Sequence, residues 1–332
     1  MIRYLVAAAL ACAALATPAA AQRGREWSHG ASGISLPREI GPMRLREERD
    51  ASGGGNWDMI LQYGNDRTPV TVYVYRAAYP NPALWFERTR RAMNEHAGTR
   101  AVAAAPRSFT LGGAPSPNGL REEIEVVGGP LRATAVAIAQ AGHWMFKVRV
   151  SSGELDVAGV RERLDQILAA VRFAQPLTSA LPLTVPAACG DANRMDGRRA
   201  ETSSEAVAGA AVIGLMAYAE ARGGGGLAAE PAAWCRDETR LPAAYGTVYR
   251  QRDGGGWVAL LGDSGRVVAA RNADLPGGRQ AASFVSTPAS THVIALFNQV
   301  PHPDEAIVEA LPVVAGQARG LAEISNEPPR DR

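Results

Sequence analysis

The chain has 332 residues, 46 % of them hydrophobic, with 35 Lys and Arg against 33 Asp and Glu for a formal net charge of +2. That length allows two buried cores, and the balanced charge without a basic block leaves no footprint for nucleic acid. Lys147 is the only lysine, and with the abundance of Ala and Gly this reads as a base-composition bias of the genome.

Met1, Ile2 and Arg3 form a short basic start, followed by an apolar run from Tyr4 through Leu15. Thr17-Pro18-Ala19-Ala20-Ala21 carries the small-x-small pattern of a signal peptidase site, so residues 1–21 read as a cleavable leader. Cleavage after Ala21 makes Gln22 the first mature residue. The apolar run is too short for a permanent membrane span. A lipoprotein reading places the lipid on Cys12, but Ala9 stands where a bulky apolar residue is wanted. The expectation is a periplasmic protein that is not integral to the membrane.

A first domain is expected over residues 30–175. Trp57 to Tyr63 and Val70 to Arg76 read as strands joined by Gly64-Asn65-Asp66-Arg67. Val70, Val72 and Val74 share one face and Thr71, Tyr73 and Tyr75 the other, which predicts a central strand covered on both sides. Asn81-Pro82 starts a helix as cap and first helical residue. Trp85, Thr89, Ala92, Met93 and His96 form its stripe, and His96 reads as a hydrogen-bonded side chain at a helix end rather than a ligand or base.

Leu120 to Val127, Leu131 to Ala139 and His143 to Ser151 are the next strands. In the last, Trp144, Phe146, Val148 and Val150 are expected to face inward and Lys147 and Arg149 outward, where Glu123 and Glu125 could oppose such basic residues across the sheet. A helix from about Asp156 to Phe173 buries Val160, Leu164, Ile167, Leu168 and Val171. This order predicts an α+β layered fold, an antiparallel sheet packed with helices. The hairpins, Trp144-Met145-Phe146-Lys147-Val148-Arg149-Val150 and the closing Leu164-Asp165-Gln166-Ile167-Leu168-Ala169-Ala170-Val171-Arg172-Phe173 resemble the PsbP/Mog1/DcrB-like fold. That resemblance implies a small binding or accessory module rather than an enzyme, and it assigns no catalytic residue here.

Pro176, Pro182 and Pro186 mark residues 176–188 as an extended linker to a second α+β domain over 189–325. Without the leader only Cys189 and Cys235 remain, and in an oxidising compartment they read as one disulfide. It closes a loop of about 45 residues, worth roughly 3–4 kcal/mol. The segment Gly190 to Gly197 resembles a calcium loop, but Met195 and Asp196 fall where a ligand and the glycine belong, so it reads as a polar turn. Thr202-Ser203-Ser204-Glu205 is a capping box for a helix to about Ala221, whose small and apolar middle predicts a buried core helix with Ala210, Gly214 and Ala217 closely approached. Gly223 to Gly226 ends it.

Tyr245 to Arg250, Trp257 to Leu261, Arg266 to Arg271, Ser283 to Ser286 and His292 to Asn298 read as strands. Gly262-Asp263-Ser264-Gly265 is similar to a trypsin-type nucleophile motif, yet Arg266 stands where that motif has Gly, and Asp-Ser-Gly also suits a hairpin turn. Pro303 opens a final helix with Asp304 and Glu305 in its first turn and Pro312 inside it. Helix-start chemistry explains His302 and Asp304 without a metal. Residues 326–332 read as a disordered tail.

The sequence thus points to an exported, non-catalytic envelope protein that binds a partner protein or small ligand, with no cofactor and no metal. Tyr73, Tyr75 and Trp85 are its candidate ligand-binding residues, although core packing explains them equally well. The alternative is a periplasmic serine hydrolase using Ser264 with His292 or His302. A denaturing mass spectrum of protein from the periplasm should show a chain beginning at Gln22, lighter by two hydrogens until reduced. Retention of Met1, or two free thiols, would overturn the export reading.

Overall fold

The computed structural model describes residues 25–97, 100–103, 105–177, 183–190, 195–200, 204–221, 234–239, 241, 246–263, 265–275 and 278–325. The expected leader, Ser264, residues 191–194 of the expected polar turn, Thr202 and Ser203, Gly223 to Gly226, residues 326–332 and the side chain of His96 fall outside that set. The described fold is α+β with strands dominating, and its named strands pair antiparallel.

A short sheet begins the chain: β1 (Glu26–His29) and β2 (Ile34–Pro37) pair with β13 (Arg172–Phe173), and β3 (Glu39–Ile40) pairs with β4 (Met43–Arg44). The first large sheet, sheet I, contains β5 (Glu47–Asp50), β6 (Asp58–Gly64), β7 (Pro69–Arg76), β8 (Arg100–Ala103), β9 (Arg107–Phe109), β10 (Gly119–Val127), β11 (Ala133–Ala141) and β12 (Trp144–Ser152). Its order is β5-β6-β7-β12-β11-β10-β8, with β9 also paired to β10. Strands β1 to β5 are two to four residues long, too short for a period-two signal to stand out in sequence.

Alternation on β7 and β12 sorts sheet I into two buried faces. Val70, Val72, Val74, Phe146, Val148 and Val150 join one cluster with Val160, Leu164 and Ile167 of helix α2 (Val157–Ala170). Tyr75 and Met145 point the other way, against Trp85 and Phe86 of helix α1 (Pro82–Ala97). The Asn81 carboxamide caps α1, accepting from the Ala83 and Leu84 amides at 3.1 and 3.2 Å. Asp156 caps α2 in the same way through Gly159.

Sheet II is a meander in sequence order: β14 (Trp234–Arg236), β15 (Thr247–Gln251), β16 (Gly256–Leu261), β17 (Arg266–Leu275), β18 (Gly278–Ser286), β19 (Ser290–Phe297) and β20 (Ala322–Ser325). Helix α4 (Pro303–Val314) covers one face through Ala306, Ile307 and Ala310. Helix α3 (Ser204–Ala221) lies on the other, where Ala210 and Ile213 meet Ala282, Val293 and Leu296. The rest of that face, with Tyr249, Val258, Leu260 and Val267, shares one apolar cluster with α1 and sheet I. The two sheets therefore enclose α1 between them. Leu183 and Val185, in the segment read as an extended linker, pack against the same cluster.

Three expectations need correction. Lys147 does not face outward: it is 1 % exposed, because the second face of sheet I meets sheet II instead of water. Glu123 and Glu125 oppose Ala135 and Ala133 across the sheet rather than basic residues, and the Glu123 carboxylate is held by Arg107 and Arg121. Helix α3 is buried on one side only, leaving Val212, Leu215 and Met216 exposed.

The close approach expected of α3 is present at Gly214, where an added Cβ would lie 2.6 Å from Ile324 Cδ1 and 2.7 Å from Val293 Cγ2. Gly214→Val should lift α3 from β19 and β20 and lower stability by about 1–3 kcal/mol. Urea denaturation checks this, and an unchanged midpoint would contradict the packing.

Candidate functional site: the charged seam between the sheets

Polar side chains from both halves of the chain meet along α1. The turn between β16 and β17 carries Asp263 and docks on the end of β7, where the Ala78 amide donates to the Gly265 carbonyl at 2.8 Å. Gly265 has φ +71°, and a Cβ there would press on the Arg76 carbonyl, so this close approach needs glycine.

Asp263 Oδ1 accepts from Lys147 Nζ at 2.8 Å and from the Arg88 guanidinium of α1. Burial works against the Asp263 charge, but Lys147 and Arg88 outweigh it and hold the carboxyl below its ordinary range. Burial likewise pushes the Lys147 ammonium down, and Asp263 returns only part of that loss. The ammonium also sits 4.0 Å from the centroid of the Tyr73 ring, a cation–π contact.

Asp58, at the start of β6, is the second carboxylate of this cluster. It lies opposite Tyr75 in the β6–β7 register, is 5 % exposed, and its Oδ1 has no hydrogen-bond partner among the described residues. Burial raises its pKa to about 6, against the pull of Lys147 and Arg266 and with the push of Asp263 and Asp50. The Tyr75 hydroxyl is also unpartnered, and burial, then Asp263, raises its pKa.

Next to Arg88 in sequence, Glu87 of α1 bridges to sheet II. The Tyr249 hydroxyl lies 2.6 Å from Glu87 Oε2 and 3.0 Å from the Leu84 carbonyl. Arg236 Nη1 donates to Glu87 Oε1 at 3.0 Å. Arg236 stands on β14 beside Cys235, which is bonded to Cys189 with a Cα–Cα distance of 4.9 Å. The disulfide thus fixes the strand that supplies this arginine. Toward sheet I, Arg90 pairs with the fully buried Glu122 at 3.0 Å.

Of the residues singled out in sequence, the structure joins Cys189 to Cys235 and brings Tyr75 and Trp85 into edge contact at 5.5 Å, both fully buried. Tyr73 lies beneath Lys147 on the same sheet face. His292 Nε2 is 3.0 Å from Ser290 Oγ, with Glu323 3.9 Å from its other ring nitrogen. His302 caps α4 by accepting from the Asp304 amide at 3.4 Å, as helix-start chemistry predicts. Among the described residues no group of three metal-ligating side chains occurs, and no described helix is long and apolar enough to cross a membrane. Sequence reading missed Lys147, Asp263, Asp58 and the Glu87–Tyr249–Arg236 bridge. One signal was present: a solitary lysine in an arginine-rich chain, set between Phe146 and Val148 in mid-strand.

No family model and no curated protein matches the chain. Among solved structures, the solution structure of cyanobacterial PsbP (CyanoP) from Synechocystis sp. PCC 6803 is similar at 12 % identity, with a TM-score of 0.32. It covers 45 % of this chain and 91 % of that one.

Lys147→Met leaves Asp263 to Arg88 alone and should cost about 3 kcal/mol at neutral pH. Urea denaturation should show that loss shrinking in an Asp263→Asn background, because the two residues share one interaction. Fully additive losses would show that they do not.

Proposed function

We propose that this is an exported, non-catalytic envelope protein that binds a protein partner through the outward face of α3. The observation that carries the reading is the side-chain exposure of that helix: Val212 is 50 % exposed, Leu215 56 % and Met216 45 %. Their spacing places them on one face, and the exposed residues that extend the stripe, Ala208 and Ala219, are also apolar. An apolar stripe on a helix that already has a buried side is what a partner surface presents, with methionine and leucine supplying adaptable contact.

The leader-like first 21 residues and the Cys189–Cys235 bond support export, since such bonds persist in oxidising compartments. Lys147, Arg88 and Arg236 of the seam are paired with Asp263 and Glu87, which supports a structural rather than a catalytic use of them. A small-ligand role is the other form of the binding reading.

The test is paired recovery of tagged wild-type protein and a Leu215→Glu/Met216→Glu variant from the periplasm, with native mass spectra of both. Wild type should carry a stoichiometric protein partner that the variant loses while its melting temperature holds. Equal recovery of the same proteins by both, or a small-molecule adduct in place of a protein, would overturn the proposal.

A further inference from the structure

The seam contains one acidic group whose placement the fold does not otherwise explain. Asp58 is buried, and its Oδ1 has no partner among the described residues, in a cluster whose ammonium is committed elsewhere. Lys147, on the same face of sheet I, gives its Nζ to Asp263 from the opposite side of the seam. The groups facing Asp58 are Asp50 at the end of β5, Tyr73 and Tyr75 on β7, Lys147 on β12, and Asp263 and Arg266 from sheet II. Asp50 is already occupied by the Ser52, Gly54 and Asn56 amides.

We propose that the contact between the β16–β17 turn and sheet I is a proton-operated latch, closed while Asp58 holds a proton and loosened when it ionises. With Asp58 neutral, Lys147 has one anionic partner, Asp263, and draws the turn onto sheet I. Ionised Asp58 is a second anion competing for the same ammonium, and it repels Asp263. Opening removes Asp263 and admits water to Asp58, relieving a carboxylate that burial otherwise penalises. Opening at a pH between the ordinary carboxylate value and the raised one releases up to one proton from Asp58 to solvent, and above the raised value Asp58 has already given it up.

The sign follows from linkage. Burial lifts the Asp58 pKa from 3.8 to about 6 in the closed seam, so the closed form binds the proton better than an open, solvated one. Closure is therefore fully favoured below the lower value and weakens as pH rises through the upper one. An open state with the ordinary carboxylate value gives an opening constant that rises about tenfold between pH 5 and pH 7.5.

Amide hydrogen exchange on the full chain reads this directly. The Ala78 amide, which crosses the seam to Gly265, reports opening, and the Val148 amide in the centre of sheet I reports global unfolding. After correction for intrinsic exchange, the Ala78 opening constant should rise about tenfold from pH 5 to pH 7.5 while Val148 stays protected. Asp58→Asn should abolish the rise. Asp263→Asn should open Ala78 at both pH values without exposing Val148, a readout that holds even if the Asp58 variant folds poorly. A flat wild-type profile, an unchanged rise in Asp58→Asn, or loss of Val148 protection in step with Ala78 would each overturn the latch.

Discussion

Helix α1 has protein on both sides, and that constraint organises the rest of the molecule. Trp85 and Phe86 are fully buried in a cluster shared by both sheets, each side chain worth about 1.5–3 kcal/mol of burial. Where the helix is so enclosed, a charged side chain has little water to reach. Glu87 and Arg88 are buried and find partners in sheet II, while the partly exposed Arg90 pairs in sheet I.

Apolar contact explains why the halves adhere but not why they meet in one register. Apolar faces slide at little cost, whereas a buried charge displaced by an ångström or two loses its partner and retains its desolvation cost. The Lys147–Asp263–Arg88 and Glu87–Tyr249–Arg236 groups therefore act as two pins along α1, whatever their net contribution to stability. The disulfide strengthens the second pin from outside, because it anchors β14 to the chain that runs back toward the first half.

How much of this was legible depended on how local the signal was. The Asn81 cap, the helix starts near Asp156 and Pro303 and the alternation along β7 and β12 act within a few residues, and the expected elements appear with ends shifted by one to a few residues. The Cys189–Cys235 bond was legible because only two cysteines follow the leader-like first 21 residues. Lys147 was assigned to solvent because a polar residue in an alternating strand ordinarily marks the wet face, and nothing nearby says that a second sheet covers it. Its partner Asp263 lies in a turn whose sequence drew attention to Ser264 instead. The ion pair between Arg88 and Asp263 spans 175 residues, a separation no periodicity can bridge. Helix α3 misled for the opposite reason, since a sequence apolar all round reads as enclosed when only one side has a neighbour.

The burial of the only lysine has a practical corollary. Reagents that acylate primary amines meet no accessible ε-amine on the described surface while the sheets are in contact, because Lys147 is 1 % exposed. A protease specific for lysine has a single peptide bond to attack, in the central strand of sheet I, and cutting there divides the chain into two pieces. Acylation at this residue and cleavage after it are thus two chemical clocks on the same site, one set by access to the seam and the other by unfolding of the strand.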